Sequence, residues 1–337
     1  MDNSIRSFVL SFLAYASLRD VDSERLCELS GISYRKLIAE ENYTVSPVQI
    51  RSLWQNAVYL TKDDLFGLHF GESLQLAALG IVGEIIKSSN TVGEALDIAA
   101  SLTHLITDLF HIKIARHPGT FSVLFIPQSS NWKTDVVCRQ VLDMLMAFVI
   151  HEMDGLVLQK IVPLSFSYTA ELIDEEESCR VMRCKMDSNR NEISLSFENK
   201  YLNEPILSAN YELQNILIRK VHTLAPGTGK ARALKTSIFN YLLSNSYLGI
   251  LSLEQVASNF NMSGRTIQRR LKEESTSYQQ VADDVRKTIA INYLQSGSYP
   301  LKQISFLMGY NELSAFSRSF KRWTGKTPAS YQKIARP

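Results

Sequence analysis

Leu253-Glu254-Gln255-Val256-Ala257 is answered 48 residues later by Leu301-Lys302-Gln303-Ile304-Ser305. The offset of 48 holds through Asn261/Gly309 and Met262/Tyr310, where turns are expected. One extra residue then enters the second copy. Ile267/Phe316, Arg269/Arg318, Leu271/Phe320 and Lys272/Lys321 follow at an offset of 49. Each copy spells a short helix, a tight turn and a second amphipathic helix with exposed cations. That is the plan of a unit that lays its second helix in the major groove of DNA. Two copies in one chain predict two adjacent groove contacts from a monomer.

The local chemistry of each copy is consistent with this plan. Ser252 is a good N-cap, and Gln255 sits where a capping-box partner belongs. Leu253, Val256, Ala257 and Phe260 recur at helical spacing and are expected to face inward. Ala257 and Ser305 are small, which lets the helices of each pair approach closely. Asn261-Met262 makes the turn, and Ser263 caps the next helix. There Ile267 and Leu271 read as core, with Arg270 on the same side. Arg265, Gln268, Arg269 and Lys272 lie opposite, at i, i+3, i+4 and i+7. Arg pairs bidentately with guanine and Gln with adenine, so this face has base-reading chemistry. In the second copy Leu307, Phe316 and Phe320 form the expected buried set, and Ser314, Ser317, Arg318 and Lys321 the exposed one. Residues 278–294 read as one long helix that fixes the orientation of the two copies. Successive major-groove contacts need a spacing of about 34 Å, one DNA turn. A cationic helix face by itself is most often solvated surface. The DNA reading rests on the agreement of repeat, caps, turns and cations.

Residues 230–337 resemble the DNA-binding domain, with two helix-turn-helix units, of AraC/XylS-type transcription regulators. The resemblance is carried by Leu253 to Leu271 and by the signature from Ile304 to Tyr331, which includes Met308-Gly309-Tyr310, Ser317-Arg318-Ser319-Phe320-Lys321-Arg322 and Gly325-Lys326-Thr327-Pro328. It implies base reading from Arg265, Gln268 and Arg269 in the first unit, and from Leu313, Ser314 and Arg318 in the second. Leu313 departs from a polar base reader, which shifts the second unit toward phosphate binding. A second resemblance covers the region before it. Leu79-Gly80-Ile81-Val82-Gly83, the run Ser88 to Leu96, Ser194-Leu195-Ser196-Phe197 and Leu202-Asn203-Glu204-Pro205 look like the "arabinose-binding" type of N-terminal domain found on a subset of these regulators. That resemblance implies effector binding or self-association and does not fix the ligand.

Charge separates the two regions. Residues 230–337 hold 16 Lys+Arg against 6 Asp+Glu, leaving residues 1–229 with 20 against 28 of the chain totals 36 and 34. A basic domain gains affinity by releasing counterions from phosphates, while an acidic one is repelled by DNA and belongs away from the groove. The boundary is expected at the Pro/Gly break Ala225-Pro226-Gly227-Thr228-Gly229. This gives a regulatory domain at 1–224, a linker at 225–229 and a DNA-binding domain at 230–337. Phe8 to Leu18, after Arg6, imitates a short signal peptide, but Asp2 weakens its positive start and acidic helical sequence follows. No stretch reaches the ~20 apolar residues of a membrane span. Cys27, Cys138, Cys179 and Cys184 are scattered and read as reduced structural thiols, so a cytoplasmic protein without a metal site is expected.

Within residues 1–224 helices are expected over 5–18, 22–29, 46–60 and 62–70. Thr91 caps another that runs to about Thr107, with Glu94 as its capping-box partner, and a further helix spans 135–151. Strands are expected over 110–116, 120–127, 157–169 and 192–198. Pro205 starts a last helix, whose broad apolar faces make 205–222 a candidate dimer surface. The fold class is thus an α+β N-terminal regulatory domain followed by an all-α domain whose two helix-turn-helix units are joined by a long helix. Candidate effector contacts are His104, His111, Trp132, Phe166 and Tyr168, although each is more at home in a core. His69 and His117 are expected in turns, and His151 and His222 at helix ends. Gly80-x-x-Gly83 reads as packing or turn, since no GxGxxG follows a strand. No Ser-His-Asp order, carboxylate pair or phosphate loop stands out, so no catalytic residue and no cofactor are expected. The predicted partners are double-stranded promoter DNA, a small-molecule effector, a second copy of the chain and RNA polymerase. The competing readings are a ligand-independent DNA-binding dimer and a DNA-associated enzyme.

Overall fold

The structure is a computed structural model that describes residues 3–40, 42–157, 160–206, 233–244, 250–296, 300–310 and 312–335. Its contacts divide the chain into two compact units, Met1–Ser208 and Ala209–Pro337.

The first unit runs α1 (Asn3–Ser17), α2 (Ser23–Leu29), α3 (Tyr34–Ala39), α4 (Pro47–Thr61), α5 (Phe66–Gly71), α6 (Ile81–Lys87), α7 (Val92–Leu102), β1 (Phe110–Arg116), β2 (Thr120–Pro127), α8 (Val136–Val157), β3 (Ser165–Ser167), α9 (Glu175–Met182) and β4 (Ser194–Glu198). Side-chain caps start the helices. The Asp22 carboxylate accepts the Arg25 N–H, Ser46 and Gln49 form a reciprocal capping box ahead of Pro47, and Asp174 accepts the Glu177 N–H. Thr91 accepts the Glu94 N–H as expected, but the Glu94 carboxylate reaches the N–H of Asn90, one residue before the cap.

Several expected boundaries move. The helix expected from residue 62 starts at Phe66, because Lys62 closes α4 in the left-handed conformation. α8 continues to Val157, so the strand expected over 157–169 shrinks to Ser165–Ser167. α3, α6 and α9 were not anticipated. Pro205 does not open a helix; it forms an extended bridge with Thr91, flanked by hydrogen bonds from Val92 N–H to Glu204 and from Ile206 N–H to Asn90. The remainder of 205–222 and the expected linker lie outside the described residues.

The sheet is antiparallel throughout, in the order β1-β2-β4-β3. Phe121, Val123, Phe125, Phe166, Leu195 and Phe197 are buried in it, and the Phe121 and Phe197 rings stack at 5.2 Å. Buried hydroxyls on alternate positions satisfy each other, Ser122 with Ser196 at 3.0 Å and Ser167 with Ser194 at 2.9 Å. The helical core is aromatic. Phe12 lies 4.8 Å from Trp54, 5.1 Å from Phe66 and 5.3 Å from Phe70, with Phe8 and Tyr15 against the same group. The apolar run that imitates a signal peptide supplies this core: Phe8, Val9, Phe12, Leu13, Tyr15 and Ala16 are all buried in α1. Among the described residues no helix is long and apolar enough to cross a membrane.

α5 and α8 meet backbone to backbone. A Cβ placed on Gly67 would stand 2.0 Å from the Gln140 carbonyl oxygen, and one on Gly71 would stand 2.5 Å from that of Met144. The two glycines are one helical turn apart, so they open a continuous strip along α5. Gln140 locks the contact by accepting the Gly67 N–H at 2.6 Å and donating to the Asp64 carbonyl at 2.6 Å.

The second unit is helical in its described residues: α10 (Leu234–Ser244), α11 (Leu253–Asn259), α12 (Gly264–Glu273), α13 (Tyr278–Ser296), α14 (Leu301–Leu307), α15 (Leu313–Thr324) and α16 (Pro328–Ala335). Val256, Phe260, Ile267, Leu271, Val281, Val285, Ile304, Phe316 and Phe320 make its core.

Gly67→Ala is expected to destabilise the protein by about 3 kcal/mol or more, since backbone and not a flexible side chain must yield. Gly93→Ala, whose Cβ would approach the Leu202 carbonyl at 3.0 Å, is expected to cost less. Urea unfolding of both variants checks the order. Equal midpoints would contradict the close contact.

Candidate nucleic-acid interface

The repeat read from the sequence reappears as hydrogen bonds. Asn261 and Gly309 follow the short helices α11 and α14, and both take the left-handed conformation, at φ 49° and φ 78°. In the first copy the Asn261 N–H donates to Ser258 and the Met262 N–H to Ala257. In the second the Gly309 N–H donates to Phe306 and the Tyr310 N–H to Ser305. Each donor and acceptor is displaced by the same 48 residues. This is the Schellman closure, which needs a residue tolerant of positive φ. Ala257 and Ser305, which accept the longer bond, are both buried.

The second helix of each copy starts just past this turn. Ser252 and Gln255 form the capping box of α11, at 3.2 and 2.8 Å, and Ser263 caps α12 by accepting the Thr266 N–H at 3.1 Å. The copies differ here, because Pro300 and Glu312 precede α14 and α15 without a side-chain cap. Ile267 and Leu271 turn one side of α12 into the core, and Phe316 and Phe320 do the same for α15.

Opposite them, Arg265, Gln268, Arg269 and Lys272 are exposed on α12. Arg269 pairs with Glu273 one turn on, at 2.9 Å, with both side chains well exposed. Such a pair is weak in water and yields readily to a phosphate or a base. On α15 Ser314, Arg318 and Lys321 are exposed, while Ser317 is half-buried, because it flanks the face that Phe316 and Phe320 bury. Leu313, in the first turn, keeps 39% of its surface exposed. α13 is the expected long helix and braces both copies. Its Asp283 binds Arg286 at 3.0 Å and Arg322 of α15 at 2.9 Å, and Tyr278 donates to the Leu251 carbonyl ahead of α11.

The candidate effector residues of the first unit separate into two groups. His104 and His111 are exposed, with His104 Nδ1 beside the Ser101 carbonyl oxygen at 3.0 Å. Trp132, Phe166 and Tyr168 are buried. Trp132 meets Tyr168 at 6.0 Å and Phe110 at 6.3 Å, while Phe166 stands opposite Leu195 in the sheet. Ionisable groups that the spacing did not bring together are buried in the same unit. The Tyr168 hydroxyl donates to Asp143 of α8 at 3.1 Å. His69 lies inside α5, not in a turn, with Nδ1 2.7 Å from Asp63 and Nε2 3.0 Å from Glu177. Both ring nitrogens face carboxylate oxygens, so both must donate, which requires the imidazolium. Burial opposes that charge, but the two carboxylates outweigh it and raise the His69 pKa. Arg180 extends the network, pairing with both Glu177 and Glu72 at 2.7 Å. His151 lies within α8, which runs past its expected end, and burial pushes its pKa down to about 3. His117 sits in the β1–β2 turn, and His222 lies outside the described residues. The available signal was an interruption: Asp143, and then His151, Glu152 and Asp154, break the apolar run that follows Arg139 and Gln140 in α8.

Comparison with known proteins gives two family matches. Residues 21–206 match the arabinose-binding domain of AraC transcription regulator, N-terminal, and residues 256–334 match a helix-turn-helix domain. The chain is similar to the ornithine utilization regulator of Pseudomonas aeruginosa, 26% identical over 298 residues that cover 88% of this chain and 87% of that one. It is 39% identical over 84 residues to the HTH-type transcriptional regulator VirS of Mycobacterium tuberculosis, covering 25% of each. The crystal structure of the transcriptional regulator CdpR from Pseudomonas aeruginosa matches 92% of this chain and 96% of its own at 20% identity and a TM-score of 0.42.

Asp143 makes a testable pH signature. Burial pushes its carboxyl up to about 7, against the opposing influence of the Tyr168 hydroxyl and Arg139. In the unfolded chain the group titrates near the ordinary aspartate value, about 4. Between about pH 4 and 7 the folded state therefore holds a proton that the unfolded state has lost, and stability falls as pH rises through this window. Relative to wild type, Asp143→Asn is expected to gain on the order of 1 kcal/mol per pH unit across it, then level off. Melting curves of both proteins at pH 4, 5, 6, 7 and 8 check this. A constant difference would refute it.

Proposed function

The chain belongs to the AraC family of transcription regulators and is a DNA-binding regulator with an N-terminal domain of the ligand-binding type, and we propose that it reads promoter DNA with both helix pairs under control of a small molecule. In this reading residues 1–224 form the regulatory domain, 225–229 the linker and 230–337 the DNA-binding domain. α12 contacts bases through Arg265, Gln268 and Arg269, with Lys272 on phosphate. α15 presents Ser314, Ser317 and Arg318, with Lys321 on phosphate. The observation that supports it best is the identical left-handed closure at Asn261 and Gly309. It aims two cationic helix faces from one turn geometry, as a pair of groove-reading units requires. The basic balance of residues 230–337, 16 Lys+Arg against 6 Asp+Glu, adds the electrostatic footprint of a nucleic-acid binder.

The first unit would sense an effector, and the protein would act as a cytoplasmic homodimer that engages RNA polymerase, without catalysis of its own. An effector changes regulation only by binding one arrangement more tightly than another. Ornithine is the first ligand to test, given the likeness to a regulator of ornithine utilization.

Two experiments bear on this reading. Genomic DNA selected on the full-length protein at about 0.15 M salt, an ionic strength at which surface charges are substantially screened, is expected to yield a shared sequence. Arg265→Ala and Arg269→Ala should each cost roughly 1–3 kcal/mol on that sequence and relax base preference. Lys321→Ala should weaken specific and random DNA alike and flatten the salt dependence. Equal effects of all three on both DNAs would sink the assignment of base readers. In the second experiment ornithine at a hundred times its Kd should stabilise the native protein by about 2.7 kcal/mol. An unmoved melting temperature at millimolar ornithine removes that ligand, and a panel of metabolites without effect favours a ligand-independent dimer.

A further inference from the structure

The two second helices carry different chemistry in their first turns. At the offset of 49, Gly264-Arg265 of α12 stand where α15 has Leu313-Ser314. Gly264 has no side chain, and a Cβ built there meets the Leu253 side chain at 3.6 Å. Leu313 instead projects an isobutyl group that remains 39% exposed, whereas Phe316 and Phe320 farther along α15 are completely buried. It heads the row Leu313, Ser317, Lys321, spaced i, i+4, i+8, along one edge of the face that holds Ser314 and Arg318. The N-terminal residues of a recognition helix are those that reach base edges.

A branched apolar group in that place finds no partner among most base edges. In the major groove guanine, adenine and cytosine offer nitrogen and oxygen atoms, and thymine alone among the bases adds a C5-methyl group. We propose that Leu313 is a specificity-determining residue that reads the methyl group of a thymine. The proposal rests on the reading of α15 as a groove-binding helix. It replaces the expectation that the second copy serves mainly phosphate binding. The two copies then read DNA differently: α12 through Arg265, Gln268 and Arg269, with the chemistry of purine recognition, and α15 through a methyl contact beside Arg318. The preferred site is asymmetric, with a thymine in the half covered by α15.

The test uses the full-length chain and a duplex selected on it from a random-sequence pool. Each thymine is replaced singly by deoxyuridine, which removes the methyl and nothing else. Affinities are read by fluorescence anisotropy, and the half-site of α15 is located as the one whose protection Arg318→Ala removes. Wild type is expected to weaken about fourfold at one or two thymines of that half-site, the worth of one buried methyl-sized group. Leu313→Ala should bind the thymine and uracil duplexes equally, and its melting curve shows whether it folds. Should that variant not fold, loss of affinity by wild type confined to the α15 half-site still supports the contact. If wild type tolerates deoxyuridine throughout that half-site while Arg265→Ala still relaxes base preference, the methyl contact is wrong and the regulator reading stands. If the wild-type chain selects no sequence at all, both fall.

Discussion

A backbone constraint at two residues shapes the candidate interface of the second unit. The first helix of each pair must stop and let the chain reverse within a few residues. Asn261 and Gly309 do this by entering the left-handed region, which costs most side chains free energy but is tolerated by Asn and Gly. The next N–H then returns to the carbonyl of Ala257 or Ser305. Those residues are small and buried, so nothing holds the second helix away from the first. The orientation of each second helix follows from this closure. It turns Ile267 and Leu271, or Phe316 and Phe320, inward, and thereby leaves Arg265 and Arg269, or Ser314 and Arg318, outward.

The first unit solves a different problem. It buries ionisable groups in a helical core and must leave none of them uncompensated. Around His69 the cations Arg19, His69 and Arg180 balance the carboxylates Asp63, Glu72 and Glu177. Such networks add little net stability, because desolvation offsets attraction, but removing one member leaves a buried charge without its partner. Asp143 takes the other route: burial raises its carboxyl pKa, beside the hydroxyl of Tyr168. The glycine strip on α5 brings α8, which carries Asp143, close to His69. Packing and charge placement in this unit are therefore one arrangement.

A regulator needs its sensing and reading regions to differ in their affinity for DNA. Residues 1–229 carry 20 cations against 28 carboxylates, the reverse of the balance beyond them. Repulsion keeps the acidic region from phosphate while counterion release draws the basic one to it. The near-neutral total, +2, conceals this division. Because the attraction is screened by salt and phosphates carry no sequence information, discrimination among sequences has to come from short-range contacts to the bases.

Features whose causes lie within a few residues of each other could be read along the chain. The Ser252–Gln255 box, the Ser263 and Thr91 caps, the turns at Asn261 and Gly309, and the buried side of α12 and of α15 were legible as local spacing, whereas the left-handed backbone of those turns was not. So were β1 and β2, where alternation is regular. α3, α6 and α9, six to eight residues long, were not. Spacing sets Ser317 on the open face, but the fold leaves it half-buried, since spacing gives the angle of a side chain and not the reach of its neighbours. Only the tertiary structure decided that Gly67 faces a helix 73 residues away, that His69 is held by Glu177 across 108 residues, and that Tyr168 donates to Asp143. Local patterns record hydrogen bonds and packing along one element. Pairings between elements depend on the path of the whole chain, and they leave no mark in the spacing of either partner.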